Sequence, residues 1–297
     1  MQPLNRETQT TPLEPSELVL NPDGSVYHLN LKPEHIADKV IVVGDQNRVK
    51  RISSRFSSIE HQIEKREFVT HTGSYKGKRL TVLSTGIGTD NIDIVINELD
   101  ALVNIDLKTR IPKEKHHPLE IIRLGTSGAL CEDIPVDSFV TSTYGLGLDG
   151  VMHFYDVAFE EDEQQLVREV LDKVDWPKGA ARPYAVKSSS SLFNRIARET
   201  HSGITVTAHG FYGPQGRALR LPLAQPNFNE LLRKVRFQDQ RITNYEMETS
   251  ALFGLSSALG HEAATVCAII ANRYRKEYSK DYQVAVEELI DYLLEVV

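Results

Sequence analysis

Residues 210–217, GFYGPQGR, place an aromatic ring, a side-chain amide and a guanidinium in one short segment. Glycine and proline bend the backbone there, so Phe211 can present a ring face while Gln215 and Arg217 reach the edges of a ligand. Gln215 both donates and accepts hydrogen bonds, and Arg217 donates through a planar fork. Such a loop suits a flat, carbonyl-bearing ring such as a pyrimidine base. On its own it is also compatible with a simple turn.

Three other parts of the chain carry groups suited to phosphate. Gly44 begins a turn that leads into a predicted helix, so free backbone N–H groups and Arg48 can face an anion there. Arg123 and Thr126 lie where a predicted strand ends, and Arg66 lies near a predicted hairpin. Each arginine alone could be a surface residue on a turn. Because α/β folds bind ligands at strand ends, the three together favour an anion site.

A pair of carboxylates precedes a predicted apolar helix. Glu246 and Glu248 are two residues apart, with Met247 between them. A carboxylate can accept hydrogen bonds from a vicinal diol such as that of ribose, and methionine can supply an adaptable apolar contact. Alternatively, Glu248 only complements the dipole of the helix. His28 lies ahead of the first core strand and, taken alone, could equally be a surface residue.

The sequence lacks the motifs of several other kinds of binding and catalytic site. The sequence has neither a P-loop nor a GxGxxG fingerprint, which argues against a nucleoside triphosphate or a dinucleotide. No set of His, Cys and carboxylate residues has metal-ligand spacing, and we expect His116 and His117 to be exposed in a charged loop. There is no GxSxG elbow. We therefore expect neither a metal nor a covalent nucleophile.

Charge and cysteine content restrict the partners and the compartment. The chain of 297 residues has a formal net charge of -7 and two cysteines, Cys131 and Cys267. A nucleic-acid backbone is normally met by clustered Lys and Arg, so nucleic acid is not an expected partner. No apolar run approaches a membrane span, and the polar N-terminus lacks the apolar core of a signal peptide. Two free thiols suit a reducing compartment, so we expect a cytoplasmic protein.

Hydrophobic patterning predicts strands that alternate with helices. Strands are predicted at residues 40–43, 67–73, 79–85, 119–124, 138–144, 184–187, 203–207 and 263–271. Helices are predicted from residue 46 and over residues 92–103, 166–174, 191–199, 226–235, 248–259 and 282–296. Residues 109–118 are predicted to form a loop. This alternation favours one α/β/α domain over residues 25–297, preceded by a polar extension, residues 1–24, that is either flexible or wrapped along the surface.

Eight segments in order along residues 25–297 resemble the nucleoside phosphorylase-I family and, within it, the uridine phosphorylases. They are VYHLNL, VVGDQNRV, KREF, STGIG, IIRLGTSGA, GFYGPQGR, NYEMETS and IIANR. Eight ordered matches are far more specific than any one of them. The resemblance implies a single-domain α/β/α sandwich with a central mixed, twisted sheet.

The resemblance also implies roles for individual residues. Those that match phosphate ligands are Gly44, Arg48, Arg66, Arg123 and Thr126. Those that match ribose ligands are His28, Met247 and Glu248, and those that match base ligands are Phe211, Gln215 and Arg217. Catalysis would depend on Arg123, Gln215, Arg217 and Glu248. Arg66 and His28 would come from a neighbouring subunit, with His28 at the ribose 5′-hydroxyl, so a dimer is the smallest expected active unit and a hexamer is the alternative.

The implied reaction is reversible phosphorolysis of uridine to uracil and ribose 1-phosphate, a pentosyltransferase reaction of pyrimidine salvage without a cofactor. The alternatives are a nucleoside hydrolase, a purine nucleoside phosphorylase of the same fold, and a catalytically silent nucleoside-binding protein. Purine-cleaving relatives follow the strand near residue 270 with Ser-Asp, whereas this chain has Asn272 and Arg273. The positive charge of the three predicted phosphate arginines argues against a hydrolase.

The chain departs from the family after STGIG. Thr89, Asp90 and Asn91 stand where bacterial members usually have Gly-Pro-Ser, so a carboxylate lies close to the expected phosphate loop. Some bacterial members hold a monovalent cation between subunits at positions that match Glu67, Ile87 and Asn91. The change at Asn91 leaves that cation an open expectation. The N-terminal extension and the loop over residues 109–118 are also longer than usual.

Overall fold

Twelve strands of residues 11–297, the part of the chain that this computed structural model describes, form one mixed β-sheet. The strands are β1 Lys39–Val43, β2 Ser58–Lys65, β3 Phe68–Tyr75, β4 Lys78–Ser84, β5 Ile105–Asp106, β6 Ile111–Pro112, β7 Glu120–Ala129, β8 Phe139–Gly147, β9 Tyr184–Lys187, β10 His201–Thr207, β11 Arg236–Phe237, β12 Gln240–Glu246, β13 Glu262–Asn272 and β14 Glu277–Tyr278. The order in the large sheet is β11-β12-β10-β8-β13-β7-β1-β4-β3-β2, with β9 beside β8 and β14 beside β13. β5 and β6 form a separate ribbon.

Helices cover both faces of this sheet. They are α1 Gln46–Ser53, α2 Thr89–Asn104, α3 Glu161–Lys173, α4 Ser190–Ile196, α5 Phe228–Lys234, α6 Thr249–Ala258 and α7 Tyr282–Val296. Short 3-10 helices occur at Pro33–His35, Val151–Phe154, Ala197–Glu199 and Gly213–Gln215. Within the described part of the chain, none of the helices has the length and apolar composition needed to cross a bilayer.

Alternate residues of β1 pack into different layers. Val40 and Val42 belong to the core formed with α2 and α6, whereas Ile41 and Val43 belong to the core formed with α1 and α7. Burial of both faces is typical of parallel strands between helical layers, and β1 is parallel to both of its neighbours, β4 and β7. The predicted α/β/α sandwich with a central mixed sheet is confirmed.

β12 brings distant parts of the sheet together. It pairs in parallel with β10 and antiparallel with the last residues of β7, so the sheet closes partly on itself. Asn244 lies opposite Ala129, and Tyr245 lies opposite Gly128. As a result, the C-terminal ends of β7 and β12 meet beside the turn that follows β1.

The strand predicted over residues 119–124 is longer than expected, because β7 continues to Ala129. Arg123 and Thr126 therefore lie inside a strand, and the prediction that the strand ends there is wrong. β13 remains paired with β7 over its full length, and this partner supports the extension. Gly125 makes room for the Arg123 guanidinium, because a Cβ atom there would overlap the Nη1 atom in its observed position.

The sequence does not predict β2 or β12. β2 is polar and largely exposed. β12 is buried, but Thr243, Asn244 and Glu246 give it a polar composition that hides its place in the sheet. These side chains have internal partners; for example, the Asn244 amide donates to Ser127 Oγ at 3.0 Å. The loop predicted over residues 109–118 contains the short strand β6.

Residues 11–24 lie beside the β5–β6 ribbon. The backbone N–H of Leu13 donates to the Arg110 carbonyl at 2.8 Å, and the Arg110 side chain donates to the Leu18 carbonyl. Leu18 itself is buried. Residues 1–10 of the predicted extension lie outside the described residues. The division into an extension and a catalytic domain stays a prediction.

Both cysteines are buried and free, as the sequence predicts. Burial raises the pKa of the Cys131 thiol and raises that of Cys267 to about 11, against the lowering effect of nearby Arg123. The two thiols are therefore protonated at neutral pH and do not supply a thiolate nucleophile.

Candidate active site

A cavity of about 560 Å³ opens where β1, β7, β12 and β13 end. The predicted site residues that line it are Gly44, Arg48, Arg123, Thr126, Phe211, Gln215, Arg217, Met247 and Glu248. A neighbouring cavity of about 640 Å³ shares Arg217 but is otherwise lined mainly by the apolar loop that follows it. The smaller cavity is the candidate site, because it combines cations, carboxylates and an aromatic ring.

Arg123 is the centre of a buried ion cluster. One end of its guanidinium donates to Glu248, and its Nη1 atom lies 3.4 Å from Glu246 Oε2. Burial lowers the pKa of Arg123, but the carboxylates of Glu248 and Glu246 outweigh burial and raise it above its usual value. Arg123 is therefore charged throughout the accessible pH range.

The buried carboxyl group of Glu248 has a raised pKa. Burial raises the pKa of its carboxyl group; Arg123 lowers this pKa and Glu246 raises it, with a net upward shift. Its Oε1 atom accepts the Gly88 backbone N–H at 2.8 Å, which links Glu248 to the STGIG segment. The carboxylate thus lies between a guanidinium and a backbone donor.

Arg48 supplies the second buried guanidinium. The Asp45 carboxylate accepts the Asn47 backbone N–H, which caps α1 and sets the first turn from which Arg48 projects. Arg48 Nη1 donates to the Leu124 carbonyl at 3.2 Å, while its buried Nε has no hydrogen-bond partner among the described residues. Burial and the neighbouring Arg123 lower its pKa. Spare donors on a buried cation suit an incoming anion.

Phe211, Gln215 and Arg217 form the aromatic side of the cavity. The Arg217 guanidinium carbon lies 3.8 Å from the centre of the Phe211 ring. Arg217 Nη1 donates to the Phe211 carbonyl and to Gln215 Oε1, each at 2.6 Å. Burial and Arg273 lower the pKa of Arg217 to about 10. Gly216 adopts the left-handed conformation, φ 70°, that lets the turn bring these groups together.

The cavity also contains residues to which the sequence analysis gave no individual binding role. Tyr245, Arg273 and Tyr278 line it, and so does Glu246, which the sequence offered only as one member of a carboxylate pair. Arg273 Nη1 is buried without a hydrogen-bond partner among the described residues, and its Nη2 donates to the Gly216 carbonyl at 3.4 Å. Arg273 stands at the end of the matched segment IIANR, and that position is the signal by which it could have been found.

Arg66 and His28 do not line this cavity. Arg66 is exposed at the turn between β2 and β3, with φ 55°. His28 is held by Glu98 on α2: Nδ1 lies 2.7 Å from Glu98 Oε1, and the His28 backbone N–H donates to the same carboxylate at 2.8 Å. The other ring nitrogen, Nε2, is left for another ligand. Contribution of both residues to a neighbouring subunit's site stays a prediction.

If the chain cleaves uridine, as the family resemblance implies, His28→Ala should weaken turnover of uridine more than turnover of 5′-deoxyuridine. If Nε2 binds the ribose 5′-hydroxyl, one hydrogen bond of about 1 kcal/mol is lost only with uridine, which is about fivefold in kcat/KM. Steady-state kinetics on both nucleosides measure the difference. His117→Ala, at an exposed histidine paired with Asp38, serves as the control. Equal losses on the two substrates would contradict a 5′-hydroxyl contact.

The segment that departs from the family pattern lies at the start of α2. Asp90 is exposed and is not among the residues that line the cavity. Asn91 Nδ2 donates to Glu67 Oε1 at 3.4 Å, so two of the three predicted cation ligands contact each other, while Ile87 is exposed. A monovalent cation at this place stays a prediction.

Within residues 11–297, one His/Asp group has the proximity of metal ligands: Asp100, His116 and His261 have ligand atoms within 4.8 Å of one another. His261 Nδ1 accepts the Leu119 backbone N–H at 3.1 Å, so its neutral ring carries the proton on Nε2 and does not offer that atom to a metal. The expectation that His116 is exposed is wrong, because the ring is half-buried and contacts the Leu259 carbonyl at 2.9 Å.

Comparison with known proteins agrees with this fold. The sequence profile described as "Phosphorylase superfamily" matches residues 38–297. Uridine phosphorylases of Thermococcus kodakarensis and Haemophilus influenzae are 31% and 29% identical to this chain, covering 87% and 85% of it and 81% and 88% of their own lengths. A DeoD-type purine nucleoside phosphorylase of Streptococcus suis is 26% identical and covers 82% of this chain and 84% of its own length.

A solved structure is similar over nearly the whole chain. A Trypanosoma brucei nucleoside phosphorylase, described as showing uridine phosphorylase activity, superposes with a TM-score of 0.86 at 30% identity, covering 94% of this chain and 98% of its own. Because the matching profile begins just before β1 and includes every strand that lines the cavity, this chain belongs to the phosphorylase superfamily.

Proposed function

We propose that this protein is a uridine phosphorylase, which converts uridine and phosphate reversibly into uracil and ribose 1-phosphate. The observation that carries the proposal is one cavity that joins two buried arginines, a buried carboxylate and an aromatic loop with an amide and a guanidinium. The relatives named uridine phosphorylases support the same reaction.

Phosphate would bind between Arg48 and Arg123. The spare donors of Arg48 and the fork of Arg123 would hold several phosphate oxygens, and Thr126 and the backbone at Gly44 would add further donors. This arrangement fixes the nucleophile next to the anomeric carbon. Positioning of this kind contributes several kcal/mol to lowering a barrier.

The ribose would lie between phosphate and base. Glu248 would accept hydrogen bonds from the two vicinal hydroxyls, with Met247 as an apolar contact on the sugar. As the glycosidic bond stretches, the sugar gains cationic character, which the nearby carboxylate and the phosphate both stabilise. No covalent bond to the protein is required.

The departing uracil gains negative charge as the bond breaks. Gln215 and Arg217 would hydrogen-bond the carbonyl and N3 edge of the ring and stabilise this charge, with Phe211 against the ring face. Oxyanion-hole donors contribute about 2 to 4 kcal/mol each to transition-state stabilisation. Cleavage thus depends on stabilising both the cationic character of the ribose and the negative charge of the departing uracil.

A purine substrate is the alternative that the Streptococcus suis relative supports. The last residue of β13, Asn272, and the residue that follows it, Arg273, argue against it. Asn272 is buried, with its amide donating to the carbonyls of Cys131 and Ile134, and the cation Arg273 lines the cavity in place of an acid. Neither of these residues has a carboxyl group that could donate a proton to a departing purine base.

We further propose that the enzyme acts in the cytoplasm, in pyrimidine salvage, as a dimer or a hexamer built from dimers, with no cofactor beyond its phosphate co-substrate. The two buried free thiols support a reducing compartment. The position of Arg66 and His28 outside the cavity supports the oligomer, because a neighbouring copy would have to supply them. Analytical ultracentrifugation tests the oligomer directly.

Ultraviolet-monitored cleavage of uridine, thymidine and inosine, each with and without phosphate, tests the function. We expect uridine to be cleaved only with phosphate, and inosine to be cleaved far more slowly. Cleavage without phosphate would identify a hydrolase, and preferential cleavage of inosine would identify a purine enzyme. If none of the three nucleosides is cleaved, the remaining alternative is a nucleoside-binding protein without catalytic activity.

A further inference from the structure

Glu246 contacts both halves of the candidate site without being free to bind a ligand. Its carboxylate accepts the Thr207 hydroxyl at 2.6 Å, the Glu248 backbone N–H at 2.8 Å and the Thr249 backbone N–H at 2.9 and 3.0 Å. Arg123 Nη1 lies 3.4 Å from Oε2. A carboxylate has about four acceptor positions, so these donors occupy it fully.

Glu248 differs from Glu246 in this respect. Its carboxylate contacts only Arg123 and the Gly88 backbone N–H in the hydrogen bonds of the described residues. Its contact with Arg123 can therefore be exchanged for a ligand hydroxyl, while Glu246 keeps its own donors. The two carboxylates therefore differ in role: Glu246 is held by donors of the protein, and Glu248 is available to a ligand.

We propose that Glu246 is a positioning residue that fixes Arg123 and the Glu248 backbone relative to each other. The inference rests on the proposed function, in which Arg123 binds phosphate and Glu248 binds ribose. Among the residues that the structure describes, Glu246 is the one carboxylate that contacts both the Arg123 guanidinium and the backbone N–H of Glu248. It thereby sets the distance between the phosphate and the sugar.

A buried polar chain holds Glu246 in place. Thr207 Oγ1 accepts the Ser250 backbone N–H at 2.9 Å, and Ser250 Oγ donates to Asp149 Oδ2 at 3.0 Å. The Tyr184 hydroxyl contacts both Ser250 Oγ and Asp149 Oδ1 at 2.9 Å. These partners belong to β9, β10, α6 and the turn after β8, so the carboxylate is anchored to rigid elements.

Glu246→Gln tests this positioning role. The substitution replaces one accepting carboxylate oxygen by an NH2 group, which is itself a donor and therefore repels at least one of the donors that now bind Glu246. We expect kcat/KM for uridine to fall about 100-fold, the cost of a misplacement of about 1 Å. We also expect calorimetry to show phosphate bound more weakly, about tenfold, as Arg123 loses its fixed position and pairs with Glu248 alone. Phosphate affinity equal to that of the wild type would overturn the proposal.

The pH profile separates positioning from a general structural role. The charged or titratable groups that face Glu248 are Arg123 from β7, Glu246 from β12 and Cys267 from β13. Glu246 raises the pKa of Glu248, so its neutralisation lowers that pKa. Because the ionised form binds the diol, the acid limb of kcat/KM should move to lower pH in Glu246→Gln. An unmoved limb would overturn the proposal.

Glu163→Gln is the matched control. Glu163 is also a fully buried carboxylate that accepts backbone N–H groups beside a helix start, but it does not line the cavity. We expect it to lower the unfolding temperature without weakening phosphate binding or moving the acid limb. Equal kinetic losses in the two variants would show that Glu246 only maintains the fold.

Thr207→Val keeps the experiment decisive if Glu246→Gln does not fold. It removes the hydroxyl that orients Glu246 and leaves every charge in place. We expect weaker phosphate binding and a severalfold lower kcat/KM, and unchanged values of both would overturn the proposal. Wild-type protein that binds phosphate but fails to cleave uridine would instead refute the proposed function, since the calorimetric comparison needs no turnover.

Discussion

Arg123→Ala should raise the KM for phosphate and lower kcat, with a combined loss of about 100- to 1,000-fold in kcat/KM for phosphate. The magnitude is that of removing one preorganised donor to a developing charge. Arg123 is expected to hold the nucleophile, and its guanidinium is already fixed by Glu246 and Glu248 before any ligand arrives. Initial rates at varied phosphate and saturating uridine measure the loss.

Arg123→Ala should also destabilise the fold, because two buried carboxylates lose their counter-charge. Breaking a buried ion pair by removing one partner costs about 3 to 5 kcal/mol in the free energy of unfolding. Arg123→Lys separates the two effects: it keeps a charge near the carboxylates but lacks the planar fork. We expect Arg123→Lys to recover part of the stability and little of the phosphate kinetics. Phosphate kinetics unchanged in both variants would remove Arg123 from the site.

Arg217→Ala should lower kcat/KM for uridine by the equivalent of about 2 to 4 kcal/mol and leave the KM for phosphate nearly unchanged. The side chain stacks on Phe211 and donates to Gln215, so its removal loses a donor to the leaving base and also frees the amide to turn. Kinetics with varied uridine at saturating phosphate measure the effect.

The control for this variant is Arg220→Ala, at an exposed arginine three residues further along that lines only the neighbouring cavity. We expect near wild-type kinetics from it. Normal uridine turnover by Arg217→Ala, or an equal loss in both variants, would refute the assignment of Arg217 to the base.

Local pattern was sufficient for much of the fold. The apolar run of β1, the turn at Gly44 that leads into α1 and the spacing of α2 each specify an element through residues close in sequence, and the structure confirms these elements. The segments that carry the site could be predicted for the same reason, since each is a short run of unusual composition. The cavity brings nine of their eleven predicted residues together.

Local sequence pattern could not predict how those segments pack against one another. Arg123 lies inside a strand whose extension depends on β13, and β12 is buried despite its polar side chains because their partners lie on β7 and β10. Residue type and spacing do not distinguish Glu246 from Glu248, and only the family resemblance singles out Glu248. Their different partners arise from the fold around them, in which Thr207 and Gly88 approach from distant parts of the chain.

The ion cluster around Arg123 restricts which anions can bind to this arginine. An incoming anion must be a better partner for Arg123 than the Glu248 carboxylate that it displaces. A divalent oxyanion can meet the forks of Arg48 and Arg123 at once, whereas a halide offers a single spherical charge to one of them. The Glu248 carboxylate thus acts as an internal competitor for Arg123, and we expect it to make the site select a divalent oxyanion over chloride.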